Sequence, residues 1–309
     1  MRIASFLPAG TTICYELGLG DAVSCVTFEC QFPPTAKEKP KVIRCIFNSD
    51  ALSSAEIDSA VVENAASSTP LYEIEESLLK DVDIVLIQDL CEVCAIGPPL
   101  VLPVLDKMQV KPRIVYLTAR SLEGLYKDVM SVADACGVKE RGERMVQSMK
   151  SRVDKVVRSL AGCTPVKTVC VEWLDPIYNA GHWMPDIVRL AGGYDPLAAP
   201  ESFSVAINWT HVAQAGAESL IIMPCGFDLA RTTREAQEIL PKKDGWKDIP
   251  AVKSHQVWGF DGNRLFSGAS PALVDGLEIL ASILHPNLYK LDEDRRLQFA
   301  TDHRRLDFK

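Results

Sequence analysis

Residues 121–162, "SLEGLYKDVMSVADACGVKERGERMVQSMKSRVDKVVRSLAG", decide how the rest of the chain is read. Leu125, Val129, Val132, Met145, Met149, Val153, Val156 and Leu160 recur mostly three or four positions apart with charges between them. That is the spacing of amphipathic helix. Gly137 interrupts it, and the second part, residues 138–162, reads as one long helix with Met145, Met149, Val153 and Val156 inward and Lys150, Arg152 and Lys155 exposed. To either side the pattern changes to short apolar β-rich runs. "RIASFL", "AVSCVTF", "DIVLIQ" and "RIVYL" precede the stretch, and "KTVCVEWL", "SLIIMP" and "QVWGF" follow it. Helical spacing separates these runs, and such alternation marks a parallel α/β fold. The expected architecture is therefore α/β: a lobe over 1–137, a bridging helix over 138–162, a second lobe over 163–309, and a cleft between the lobes.

Bulk properties bound the function. A chain of 309 residues is longer than one core usually supports, and 47% hydrophobic with 24% charged residues describes a globular protein. The net charge of −8 and the lack of a Lys/Arg-dense stripe exclude nucleic acid and anionic membrane surfaces as partners. No apolar run has the length of a membrane span, so membrane insertion is not expected. "MRIASFLPAGTT" lacks the charged flank, long apolar core and cleavage site of an export signal, which gives a cytoplasmic expectation. In that reducing setting the ten cysteines imply metal binding, thiol chemistry or burial rather than disulfides.

In open α/β sheets, ligands bind beyond the carboxyl ends of the strands. Here the strand-end loops are "LPAGTT", "FECQFPP" and "QDLCEVCA" in the first half, and "EWLDP" with "AGHWMPD", "PCGFD" and "DGNRLFSG" in the second. They carry Glu29, Asp89, Glu92, Glu172, Asp175, Asp228 and Asp261, carboxylates that either cap helices or need a cation to offset their crowding. Trp173, Trp183, Phe227 and Phe266 offer flat apolar surface for a ring-shaped ligand, or serve as core. His182 is a candidate general base, metal ligand or axial ligand to a corrinoid cobalt, with a structural role equally open; His211, His255, His285 and His303 read as surface or terminal residues. Cys91 and Cys94 form a lone C-x-x-C, short of a zinc motif, which Cys30 and Cys225 would complete as a four-thiolate set if the fold gathers them. Plain burial of the thiols is the alternative. The Gly-rich and nucleophile motifs of nucleotide-binding and hydrolase sites are absent.

The stretches "FLPAGTTICYELGLGD", "FECQFPP", "QDLCEVCA", "EWLDP", "AGHWMPD", "MPCGFDLART" and "LVDGLEIL" resemble the helical-backbone solute-binding proteins, which include the cobalamin- and siderophore-binding components of ABC importers. The likeness is greatest to the subgroup without an export signal known as cobalamin-binding proteins. It implies two Rossmann-like lobes with parallel sheets, one bridging helix, and a small molecule clamped in the cleft, with a corrinoid or other metal-containing ligand as candidate. One departure is "FSGASP" at 266–271, where the family has an aromatic-Ser-Arg-Pro-Gly stretch. The candidate ligand contacts are then Glu29, Cys30, Asp89, Glu92, Trp173, Asp175, His182, Trp183, Phe227, Asp228, Asp261 and Phe266, and the candidate metal ligands Cys30, Cys91, Cys94 and Cys225. The cofactor is not fixed by the sequence; a corrinoid or a transition metal such as zinc or iron is the candidate. Without an export signal, an ABC importer partner is not expected. The rival reading is an intracellular enzyme that reuses the fold with a metal- or thiol-dependent Cys/Glu/Asp/His site.

Overall fold

The strands found in the sequence as apolar runs become the centres of two separate sheets. The computed structural model describes residues 1–67, 71–89 and 97–308. The chain divides into two units, Met1–Ser148 with Gly268–Pro271 and Met149–Ser267 with Ala272–Lys309.

The first unit holds β1 (Ile3–Ser5), β2 (Val23–Thr27), β3 (Lys41–Cys45), β4 (Tyr72–Ile74), β5 (Ile84–Gln88) and β6 (Arg113–Leu117). Their order is β4-β3-β2-β1-β5-β6, parallel except for β4, which runs antiparallel to β3. The chain builds outward from β1 to β3, then returns to the other side of β1 with β5. That reversal places a topological switch point between β1 and β5. Ile3, Ala4, Val85, Leu86 and Ile87 are fully buried, as central parallel strands covered on both faces must be.

The second unit holds β7 (Val166–Leu174), β8 (Ile177–Asn179), β9 (Gly193–Tyr194), β10 (Ser219–Ile222), β11 (Val257–Phe260) and β12 (His303–Arg305). The order is β12-β11-β10-β7-β8, with β9 on β7. The centre is parallel, and the outer β8 and β12 are antiparallel to their neighbours. Val169, Val171, Leu220, Ile222, Val257 and Trp246 form the core of one face. The expected α/β class with parallel sheets is observed.

The helical stretch that opened the reading is two helices, Leu122–Ala135 and Lys139–Ser159. Gly137 separates them in the left-handed region at φ 69°. The Val138 amide donates to Ala133 O at 2.8 Å and the Gly137 amide to Asp134 O at 3.1 Å, the paired bonds of a Schellman end. The boundary between the units falls inside the second helix, at Ser148/Met149. Met149 and Val156 are buried and Lys150 and Lys155 exposed, in line with the apolar stripe. Arg152 departs from it: its guanidinium is held by Asp275 and Glu278 at 2.6 Å each. Among the described residues no helix is long and apolar enough to cross a membrane.

Candidate functional site

Each sheet presents the carboxyl ends of its parallel strands at one edge. In the first unit, β1 runs through Phe6 and Leu7 into the helix Pro8–Glu16. The threonines of "LPAGTT" turn back onto the chain, Thr11 Oγ1 donating to Leu7 O at 3.4 Å and Thr12 Oγ1 to Pro8 O at 3.1 Å. After β2, Cys30 is completely buried with its Sγ 3.1 Å from Thr11 Oγ1. Burial pushes its thiol up to about 12. A thiol held protonated at neutral pH is a poor metal ligand and a poor nucleophile. Glu29 beside it is half-buried, and burial raises its carboxyl to about 7. Asp89 is exposed at the end of β5, its amide donating to Leu117 O at 3.2 Å and extending the ladder to β6. Cys91, Glu92 and Cys94 lie outside the described residues.

In the second unit, the carboxyl edge of β7, β10 and β11 gathers most of the aromatic candidates. Trp173 and Phe227 pack tilted with ring centroids 5.0 Å apart. The Arg231 guanidinium lies over the Phe227 ring, 3.7 Å from its centroid, with its Nε donating to Glu235 Oε1 at 2.8 Å. Phe227, Trp183 and Phe266 are nearly fully buried. Trp183 Nε1 donates to Phe266 O at 3.1 Å, and Phe266 packs on Phe260. These three form the floor of the edge, whereas Trp173 and His182 keep part of their surface open. His182 precedes the helix Met184–Leu190, its ring centroid 5.4 Å from that of Trp183 at a tilt of 31° and 5.4 Å from that of Phe203 at 90°.

The carboxylates of this edge do what Asp does at strand-to-helix turns. Asp228 caps the helix Leu229–Ile239 through the Arg231 amide, and Asp261 caps Gly262–Leu265 through the Arg264 amide. Asp175 lies 3.8 Å from Lys243 Nζ. Burial, reinforced by the Asp302 and Asp228 charges, raises Asp261 to about 6. Cys225 lies half-buried after β10, its amide donating to Glu172 O at 3.0 Å, and Glu172 Oε2 accepts from the Gly181 amide. Among the described residues, no group of three or more His, Cys, Asp or Glu side chains is placed to hold a metal ion. A metal-binding, cysteine-rich site thus has no support there, and the described cysteines form no disulfide.

Two of the histidines read as surface or terminal residues also make structural contacts. His285 Nε2 lies 2.9 Å from Gly192 O, and His303 stacks on Phe260 at 5.7 Å with burial lowering its pKa. Sequence reasoning missed Arg231, Phe203 and Asp195. Arg231 sits three residues after a capping Asp, a position legible from the cap; Phe203 lies in "APESFSVAIN", where no period marks it. Asp195 is raised to about 6 by burial while accepting from the Cys170 and Leu197 amides, which ties its loop to β7.

Residues 97–263 match the model of a family described as periplasmic binding protein. The uncharacterized ABC transporter substrate-binding lipoprotein YvrC of Bacillus subtilis (strain 168) is 26% identical over 298 residues, covering 94% of this chain and 81% of the relative. Among solved structures, the apo periplasmic heme-binding protein RhuT from Roseiflexus sp. RS-1 superimposes with a TM-score of 0.67 at 19% identity, over 92% of this chain and 98% of its own. The periplasmic vitamin B12 binding protein BtuF of Vibrio cholerae does so with a TM-score of 0.64 at 18% identity, over 92% and 96%. These structural likenesses establish the fold. The family match and the lipoprotein relative overturn the cytoplasmic expectation, and they remove the ground for excluding an ABC importer partner.

Proposed function

The chain belongs to the periplasmic binding protein family, and we propose that it is the substrate-binding component of an ABC importer, working outside the cytoplasmic membrane on a metal-containing macrocycle of the heme or corrinoid type. The observation that carries the reading is the carboxyl edge of the second unit, where Trp173, His182 and Phe203 stand partly open over a floor of Trp183, Phe227 and Phe266. Flat apolar surface with one imidazole suits a disc-shaped ligand that carries a metal. An iron chelate bearing several negative charges would call for cations at this edge. Arg231 is instead engaged with Glu235 and stacked on Phe227, and "FSGASP" supplies no arginine. The nearby heme- and vitamin B12-binding structures support the ligand class, and YvrC supports the importer role.

A thermal-shift panel tests this reading with hemin, aquocobalamin and a ferric tris-catecholate chelate, which carries three negative charges. A ligand present at one hundred times its Kd stabilises the fold by about 2.7 kcal/mol. Hemin or aquocobalamin should raise Tm by several degrees and the catecholate should not. A shift with the catecholate alone, or with none of the three, contradicts the proposal.

A further inference from the structure

His182 and Glu201 are both non-glycine residues in the left-handed region, at φ 53° and 58°. Such backbone costs of order 1–3 kcal/mol and persists only where the surroundings impose it. Here the two residues impose it on each other. The His182 amide donates to Ser202 O at 2.6 Å, and the Glu201 amide donates back to His182 O at 3.0 Å. Gly181 permits the approach, since a Cβ there would fall 2.7 Å from Phe203 C and Ser202 O and closer still to Ser204 N. A second pair of bonds fixes the far end of the segment: the Val205 amide donates to Asn179 Oδ1 at 2.8 Å and the Asn179 amide to Val205 O at 3.2 Å. Between the two anchors sits Phe203, 47% exposed, followed by Val205, 51% exposed.

Large apolar side chains on a surface are ordinary when scattered singly. Phe203 differs because the backbone on both sides of it is tied down and its ring meets the His182 imidazole at 90°. A disc lying flat on the Phe203 face would therefore stand perpendicular to the imidazole plane, the mutual tilt of the two rings that axial ligation of a central metal also requires. An aromatic ring on a tied backbone also loses little conformational freedom when it contacts a ligand.

We infer that Phe203, held by the His182–Glu201 clamp, is a specificity-determining contact that stacks on the macrocycle face beside His182. The inference rests on the reading of the site as a macrocycle binder. Phe203→Ala, Phe203→Tyr and His182→Ala, made in the full chain, test it by titration with hemin, metal-free protoporphyrin IX and aquocobalamin. With the macrocycle that the wild type binds, Phe203→Ala should weaken affinity roughly tenfold or more, and Phe203→Tyr should restore most of it. If the wild type binds hemin, the same loss should appear with metal-free protoporphyrin, whereas His182→Ala should hurt hemin more than protoporphyrin. Because Phe203 is half exposed, Tm of the free variants should match the wild type. Wild-type affinity in Phe203→Ala overturns the assignment and leaves the macrocycle reading standing. A wild type that binds none of the three macrocycles overturns both.

Discussion

Asp261 shows what a single residue at the edge of the second sheet contributes and what it costs. Its carboxylate caps the helix Gly262–Leu265, accepting from the Arg264 amide at 2.8 Å, while Asp302 and Asp228 add negative potential that the Arg264 guanidinium only partly offsets. Burial is the larger cause, and with this potential it raises the carboxyl to about 6, against 3.8 for an unperturbed Asp. Because the folded pKa is raised, the native state binds the extra proton between these values. Stability from this group is thus greatest at low pH, falls as pH rises through that window, and stays lower above it. Asp261→Asn keeps a good cap and removes the charge. It should therefore stabilise the protein by about 1–2 kcal/mol at pH 8 and have no such effect near pH 3.5, as read from urea unfolding at both pH values. A variant destabilised at pH 8 would show that the carboxylate is held by attraction rather than tolerated. Gly181 makes a second point at this scale: Gly181→Ala drives a methyl into the backbone at Ser202–Ser204 and should lower stability by about 1–3 kcal/mol in the same experiment. The caps were legible in the sequence because Asp precedes each helix there; the clamp was not, because its partners are about twenty residues apart and bond through backbone.

At the scale of elements, the helices Lys139–Ser159 and Ala272–Leu284 are joined within the second unit by Arg152, Asp275 and Glu278. Arg264 also reaches Asp275 and Asp302, and Arg295 lies 3.5 Å from Asp275, so three arginines meet three carboxylates in a largely buried network. Removing one partner of such a network leaves charge uncompensated, at a cost of about 3–5 kcal/mol. Arg152→Met should destabilise by that order in urea unfolding; a change under about 0.5 kcal/mol would mean the carboxylates are satisfied without it. The period of the helix predicted an exposed Arg152, since a hydrophobic stripe reports only which face is apolar. The carboxylates that draw Arg152 inward lie more than a hundred residues away in the sequence. Strand β3 was missed for a related reason: in "KVIRC" the apolar pair Val42–Ile43 is flanked by Lys41 and Arg44, so it lacks the unbroken apolar run of the central strands. β8 and β12 escaped notice as three-residue antiparallel edge strands, too short to show a period.

For the whole molecule, the α/β class and the parallel centre of both sheets could be read from the sequence because short apolar runs rich in β-branched residues alternate with longer segments of helical spacing, and run length and composition separate the two. Placement in the cell could not be read that way. It was argued from the first residues of the sequence, and the family match and the lipoprotein relative overturn it. Of the proposed thiolate set, Cys91 and Cys94 fall outside the described residues, and Cys30 is a buried thiol bonded to Thr11. The aromatic edge of the second unit is therefore the candidate binding surface. The most direct test is an equilibrium titration of the purified protein with hemin and with aquocobalamin, followed through tryptophan fluorescence, which reports on Trp173 and Trp183 at that edge. The account predicts saturable quenching by one of the two macrocycles, with one ligand per chain and a Kd on the order of 1 μM or tighter. A folded protein whose fluorescence shows no saturable response to either would contradict it.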